Sequence, residues 1–364
     1  MLGDDEFAAW FRLLETPGIG RDTARRLLAA CGSPDAVLRT PQKTLRELAG
    51  SAVADALQHE PATHAERRAA ALHWLHGGAD RSVLVLGDPA YPERLLQTAD
   101  PPLLLYVQGA PALLSAPAIA VVGSRHPTPQ GLDNARAFGR SLSAQGYVVV
   151  SGLALGIDGA AHEGALEGAA GTVAVVGTGI DRVYPRRHRE LAHRIAAHGA
   201  LASEFAPGTP ALPEHFPQRN RIIAGLSLGT LVVEAALPSG SLITARLASE
   251  AGREVFAIPG SIHAPQSKGC HYLLKQGAKL VETAQDIIEE LRGVLHPQAI
   301  LPLGEPAVAD PLLDALGHDP VTLDALMART GASAAELTVR LLDLELEGSV
   351  ARLPGGLYQR RYAG

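Results

Sequence analysis

Apolar and polar positions recur along this chain with two different periods, and the change of period divides it. The first stretch is helical in pattern: Asp4 to Glu15, then Arg21 to Ala30 after the breaker Thr16-Pro-Gly-Ile-Gly20, then pieces near Pro34–Arg39, Pro41–Ala49 and Ala62–Leu75. This predicts a small helical domain over residues 1–80, ending near Gly78. From Arg81 short apolar runs take over, at Ser82–Leu86, Leu103–Gln108, Ala118–Val122, Gly146–Val150, Gly171–Val176, Leu228–Val233 and Arg253–Ile258. Helix-compatible segments such as Gly131–Ala144 and Asp158–Glu167 lie between most of them. Continuous apolar strands alternating with helices predict an α/β domain over residues 81–295, with a parallel sheet covered on both faces.

After a helix at Ala284–Arg292, the Pro-rich segment over residues 296–306 is expected to be a linker. Residues 307–364 follow a winged-helix pattern: helices at Asp310–Leu316, Thr322–Arg329 and Ser333–Glu347, then a two-stranded wing around Pro354-Gly-Gly. The third helix opens on a Ser333-x-x-Glu336 capping box. In such a fold that helix usually reads DNA, but here it carries Glu336, Asp343, Glu345 and Glu347 against Arg340, so phosphate would repel it. A structural or protein-contact role is therefore expected for the tail. Gly18-Ile19-Gly20 resembles a helix-hairpin-helix turn, and an ordinary turn between packed helices is the reading preferred for so short a signal.

The chain has 364 residues and a net charge of −6, which on its face argues against a nucleic-acid partner. The distribution changes that picture. Between Ile119 and Leu280 there are 15 Lys and Arg against 11 Asp and Glu, a balance of +4, whereas the remainder holds 17 against 27, or −10. Positive charge is concentrated in the central segment. The two cysteines, Cys31 and Cys270, are too few and too far apart for a disulfide framework or a cysteine-rich metal site, which fits a reducing cytoplasm. The acidic start of the chain does not resemble a secretory signal, and no apolar stretch reaches the roughly 18–20 residues of a spanning helix, so a soluble protein with no membrane partner is expected.

In a doubly wound sheet, ligands bind outside the carboxyl ends of the strands. There the sequence reads Gly123-Ser-Arg125, Ser151-Gly-Leu-Ala-Leu-Gly-Ile-Asp158, Gly177-Thr-Gly179, Pro238-Ser-Gly-Ser-Leu-Ile-Thr244 and Pro259-Gly-Ser261. Five successive loops of Gly, Ser and Thr let backbone N–H groups and small hydroxyls approach an anion, with helix dipoles behind several of them. Arg125 directly follows a strand, and Arg219-Asn220-Arg221 precedes the apolar run Ile222–Leu226. Arginine suits bidentate phosphate contacts and stacking on bases, which is what a sequence-tolerant single-strand binder needs. Phe216 suits a stacking platform and a core position equally.

The remaining candidates read as structural. Asp158 is expected to be a helix N-cap, His162 to hydrogen-bond within the core, and Glu204 and Glu234 to pair with rim arginines, since neither has a nucleophile or acid partner. No histidine spacing suits a metal. No catalytic residue, metal or cofactor is expected.

Taken in order, Val121-Val-Gly-Ser-Arg125, Ser151–Asp158 with Ala161-His162, Tyr184-Pro185, Ser203-Glu204, Phe216–Ser227, Val233-Glu-Ala235, Ser239–Thr244, Pro259-Gly260 and Gly269-Cys-His closely resemble the DprA/Smf (DNA processing protein A) family. The helical start, SAM-like or helix-hairpin-helix-like, and the winged-helix-like tail also look like the family's flanking domains. The resemblance implies an extended Rossmann-like core that binds single-stranded DNA, forms a homodimer and loads RecA in natural transformation, without catalysis. By position it implies DNA contacts from Gly123, Ser124, Arg125, Ser151, Gly152, Arg219, Asn220, Arg221 and the Ser239–Thr244 loop (Ser239, Gly240, Ser241, Thr244), with a contribution from Lys268. Many relatives have Thr-Asn where this chain has Cys270-His271, near the family's dimerisation region, and Asn where it has His188.

Two other classes share the fold. A dinucleotide-dependent oxidoreductase needs Gly-x-Gly-x-x-Gly after a strand, and Gly177-Thr-Gly-Ile-Asp-Arg182 lacks the third glycine. A phosphoribohydrolase-like enzyme would carry Pro-Gly-Gly-x-Gly-Thr-x-x-Glu, where this chain has Pro238-Ser-Gly-Ser-Leu-Ile-Thr244. Mononucleotide binding or hydrolysis is the alternative that remains, because the rim would accept any phosphate.

Overall fold

The structure, a computed structural model, describes residues 2–295, 311–317 and 319–361. The expected linker over residues 296–306 lies outside the described residues. The chain opens with α1 (Asp4–Leu14), α2 (Arg21–Cys31), α3 (Pro34–Arg39), α4 (Gln42–Ala49), α5 (Ser51–Gln58) and α6 (His64–His76). Ser33 caps α3 by accepting from the Ala36 N–H, with Pro34 in the first turn. The Thr16–Gly20 breaker works through Gly18, whose φ of +83° few side chains tolerate. Helix α5 was not expected, because Ala54 and Leu57 are its only buried positions and make a faint period.

The central region runs β1 (Arg81–Val85), α7 (Glu93–Leu96), β2 (Leu104–Gly109), β3 (Ala118–Val122), α8 (Pro129–Ala144), β4 (Val148–Ser151), α9 (Ile157–Ala165), β5 (Thr172–Val175), α10 (Arg189–His198), β6 (Ala200–Ser203), α11 (His215–Leu226), β7 (Gly229–Val232), α12 (Gly240–Glu250), β8 (Glu254–Ala257), α13 (Lys268–Lys275), β9 (Lys279–Leu280) and α14 (Ala284–Leu295). Its strands form one sheet in the order β1-β2-β6-β5-β4-β3-β7-β8-β9. The block from β6 to β9 is parallel, as expected. Strands β1 and β2 are not: β1 pairs antiparallel with β2, and β2 antiparallel with β6. The one-turn α7 is too short to carry the chain back across the sheet, so the two strands reverse on each other.

Alternate residues of each strand feed opposite cores. Leu105, Val107, Ala120, Val122, Val150 and Val175 face one side, under α11, α12 and α13. On the other side Ile119, Val121, Val149, Leu231 and Phe256 pack against α8, α9 and α14. The N-terminal helices share that second side: Phe7, Trp10, Phe11 and Trp74 form one core with Val85, Leu104, Tyr106 and Leu201.

The tail comprises α15 (Pro311–Leu316), β10 (Val321–Thr322), α16 (Leu323–Thr330), α17 (Ala334–Leu346), β11 (Val350–Leu353) and β12 (Leu357–Arg360), around a separate core of Leu316, Leu326, Leu337, Leu341, Leu344 and Val350. It is a winged helix. The Ser333–Glu336 capping box forms as expected, and the wing gains β10 as a third strand, in the order β10-β12-β11. Arg361 reaches the α8 residue Asp133 through two hydrogen bonds, at 2.7 and 3.0 Å.

Candidate functional site

The chain lays down β3, β4, β5 and β6 towards one edge of the sheet, then returns to place β7 on the opposite side of β3. This is a topological switch point, and the crevice outside the carboxyl ends of β3 and β7 is where an open α/β sheet holds a ligand. A groove of about 600 Å³ lies there. It is lined by Gly123, Ser124 and Arg125 after β3, Asp158 on α9, Phe216, Arg219 and Asn220 on α11, and Ser239, Gly240, Ser241 and Thr244 at the start of α12.

Main-chain bonds fix the first loop on both sides. Ser124 N–H donates to the Glu234 carbonyl at 2.7 Å, and the Ser124 carbonyl accepts from Ile157 N–H at 3.1 Å. A Cβ on Gly123 would stand 2.6 Å from the Ile157 side chain and 2.9 Å from the Glu234 carbonyl, so only glycine allows this closeness. The second loop is held by Asp158, whose carboxylate accepts from Gly152 N–H at 3.0 Å and Ala154 N–H at 3.3 Å. Between those two donors Leu153 is forced to φ +57°, a conformation that is costly for leucine, and His188 Nδ1–H donates to its carbonyl at 3.0 Å. Burial raises the Asp158 carboxyl, and the Arg219 charge opposes the shift.

Arg219 is the floor of the groove. It is only 4% exposed, and its Nη1 donates to the Gly152 carbonyl at 2.5 Å and to the Val175 carbonyl. Burial brings its guanidinium down to about 10, Asp158 acting against the shift, so it stays charged at neutral pH. Arg125 is exposed at the lip, its guanidinium 5.8 Å from the Phe216 ring centroid. Tyr184 meets the same ring at a centroid distance of 5.4 Å, tilted by 41°, and is 51% exposed. Asn220 Nδ2 donates to the Gly240 carbonyl at 3.3 Å, tying α11 to the first turn of α12. No side chain caps α12, because the Ser239 and Ser241 hydroxyls bond each other at 2.7 Å. Its first N–H groups and the positive end of its dipole are left for an anion.

Ten expected residues therefore come together: Gly123, Ser124, Arg125, Phe216, Arg219, Asn220, Ser239, Gly240, Ser241 and Thr244. Phe216 is half-buried beside Arg125 and Tyr184, as a platform would be. Four others do not line the groove. Ser151 is fully buried and its hydroxyl donates to the Val121 carbonyl at 2.6 Å, so it joins β4 to β3. Gly152 lies behind Arg219 and supplies the carbonyl that holds it. Arg221 points off the other side of α11, where it pairs with Asp100 at 2.8 Å and Glu204 at 2.5 Å. Lys268 is exposed, and its ammonium donates to the Ile262 carbonyl.

Of the structural expectations, Glu204 pairs with an arginine as foreseen. Glu234 does not. It accepts from Thr128 N–H at 2.9 Å and Thr128 Oγ1–H at 2.6 Å, because the turn into α8 brings those donors to it first. Asp158 braces a loop rather than capping α9, which begins one residue earlier after Gly156. His162 does bond within the core, at 2.7 Å to Thr172 Oγ1. Sequence reasoning missed Tyr184 and the exposed run Arg182, Arg186, Arg187 and Arg189 beside it. Four arginines within eight residues next to an aromatic were the available signal.

The fold and groove define a class: an α/β protein of Rossmann-like topology, with an anion-binding crevice at the switch point and a separate winged helix. Residues 82–292 match the family described as DNA recombination-mediator protein A, and residues 296–356 match the DprA winged helix domain. The chain is 45% identical over 283 residues to Protein Smf of Escherichia coli, covering 75% of this chain and 76% of that protein. It is 48% identical over 203 residues to DNA processing protein DprA of Streptococcus pneumoniae, covering 56% and 72%. The X-ray structure of the Streptococcus pneumoniae protein superposes with a TM-score of 0.68 at 36% identity, covering 78% of this chain and 97% of that one. A Helicobacter pylori DNA processing protein A, described for its single-stranded DNA binding mode, gives a TM-score of 0.53 at 32% identity, covering 58% and 95%. This chain belongs to the DNA recombination-mediator protein A (DprA/Smf) family.

Proposed function

We propose that this chain binds single-stranded DNA in the switch-point groove without acting on it chemically, and passes the strand to RecA. The carrying observation is that one groove combines a phosphate site and a base platform: buried Arg219 and the open α12 N-terminus beside the cluster of Arg125, Phe216 and Tyr184. The arginines from Arg182 to Arg189 extend the positive surface beyond Tyr184. Asp158 and Glu234, the carboxylates nearest the groove, are both engaged in holding loops, and the described residues hold no cluster that could bind a metal. The single-stranded DNA binding described for the Helicobacter pylori relative supports the ligand, and a family described as recombination mediators supports RecA as the recipient.

A homodimer fits the apolar cleft between α12 and α13. Leu237 and Tyr272, which line it with Leu242, Ile243 and Leu273, are 54% and 49% exposed. Among the described residues no helix is long and apolar enough to cross a membrane, and the site of action is proposed to be the cytoplasm. The test is light scattering of the chain with and without oligothymidine, beside incubation with nucleoside monophosphates. A dimer that gains the mass of the oligonucleotide is expected. Release of free base from a nucleotide would replace this reading with a phosphoribohydrolase-like one.

A further inference from the structure

Helix α17 is apolar on two faces. Leu337, Leu341 and Leu344 turn inward to the winged-helix core. Val339, Leu342 and Leu346, spaced three and four residues apart, form a second stripe that is 62%, 54% and 80% exposed. Neither the core of this small domain nor the large sheet domain covers it. Along one border of the stripe run Glu336, Asp343 and Glu347, and Glu345 lies on the other, all exposed. Arg340, the helix's one cation, falls beyond the three-acid border.

That pattern selects its partner. DNA is excluded by four carboxylates on the face a winged helix would bring to a groove, and an anionic lipid surface is excluded for the same reason. A second copy of α17 would set acidic borders against acidic borders. What complements an apolar stripe edged in carboxylates is an apolar stripe edged in Lys and Arg. We propose that α17 is a docking surface for a cationic amphipathic helix of a partner protein, lying along Val339, Leu342 and Leu346 with its basic residues against Glu336, Asp343 and Glu347. The contact leaves the DNA groove free, so a partner could hold this chain while it holds a strand.

The experiment uses the full chain and labelled peptides of about five helical turns at roughly physiological ionic strength. One peptide carries a Leu stripe flanked by Lys, one the same stripe flanked by Glu, and one the Lys residues with the stripe replaced by Gln. Fluorescence anisotropy should show saturable binding of the first, at least about tenfold tighter than of either other peptide. Leu342→Asp combined with Leu346→Asp should weaken it by about tenfold or more, and these exposed positions leave the domain core intact. Glu336→Lys with Asp343→Lys and Glu347→Lys should reverse the preference towards the Glu-flanked peptide. Equal binding of all three peptides, no binding of the first, or binding unchanged in the Asp variant would each overturn the proposal. Self-association of the wild-type chain that the Asp variant abolishes would overturn it as well, in favour of a second copy.

Discussion

Arg219 and Gly152 form a fitted pair: the guanidinium Nη1 donates to the Gly152 carbonyl at 2.5 Å, and a Cβ on residue 152 would stand 2.3 Å from that same nitrogen. The guanidinium has nowhere to retreat, because it is 4% exposed and also bonded to the Val175 carbonyl. Gly152→Ala should therefore break both bonds and leave a buried cation without acceptors. Bonds to a charged group contribute about 1.5–3 kcal/mol each, so a loss of roughly 3 kcal/mol is expected. Arg219→Ala should cost a similar amount by orphaning two carbonyls and the Asp158 charge. Thermal melting checks both. Wild-type Tm in either variant would show that this pair does not hold the groove floor.

Arg125 and Arg221 are both expected from the sequence to contact DNA, yet they should behave in opposite ways. Arg125 is exposed over Phe216 and makes its charge available, so Arg125→Ala should weaken oligothymidine binding by roughly tenfold or more, with little change in Tm. Phe216→Ala should weaken it by about 1–3 kcal/mol through lost stacking. Arg221 sits between Asp100 and Glu204, in a network that Arg21 and Arg25 of α2 join through Asp100. Arg221→Ala should lower stability by up to about 3–5 kcal/mol and leave the affinity of the folded protein near that of wild type. Filter binding over a salt series, beside denaturant melts, separates the two outcomes.

How the sequence located this site, and where it stopped, follows from what a linear pattern encodes. Gly and Ser after a strand mark a loop that must approach something closely, so Gly123–Arg125 and Ser239–Thr244 were legible as groove lining. The direction of a side chain on a helix depends on which face meets the sheet. That is why Arg219 and Arg221, adjacent but for Asn220, could not be told apart until α11 was seated over β4 and β5. Strand β6 escaped notice because Ala200-Leu-Ala-Ser203 is short and built from small residues. It pairs antiparallel with β2, and the N-terminal helices cover that part of the sheet.

Those helices lead to a third prediction. Tyr106 of β2 is 3% exposed and packs edge-on against Phe7 and Trp74, at ring-centroid distances of 6.3 and 5.8 Å. A fragment starting at Arg81 would bare Tyr106 together with Val85, Leu104 and Leu201. Each such side chain is worth about 1.5–3 kcal/mol when buried, a large share of the stability of a typical domain. The fragment over residues 81–295 should bind a hydrophobic dye and melt well below the full chain. Cooperative melting at the full-length Tm would show that the N-terminal helices form an independent unit.

His162 gives the chain an acid-sensitive core. Its ring is fully buried, and the Thr172 hydroxyl already donates to the Val149 carbonyl at 2.6 Å. That hydroxyl must therefore accept from His162 Nδ1–H, which leaves Nε2 without a partner. Burial, with His188 and Arg219 nearby, brings the imidazole from its ordinary 6.5 down to about 3. The folded state thus refuses a proton that the unfolded chain accepts. The stability this confers is complete above pH 6.5 and is lost as the pH falls from there towards 3, by about 1.4 kcal/mol per unit at most. Asp158, whose carboxyl is raised by burial, acts in the opposite sense and offsets part of the loss. In His162→Asn the amide reaches the Nδ1 position and cannot titrate. Urea midpoints measured between about pH 7 and about pH 4 should fall less steeply in that variant than in the wild type. Parallel slopes would remove His162 as the source of the acid limb.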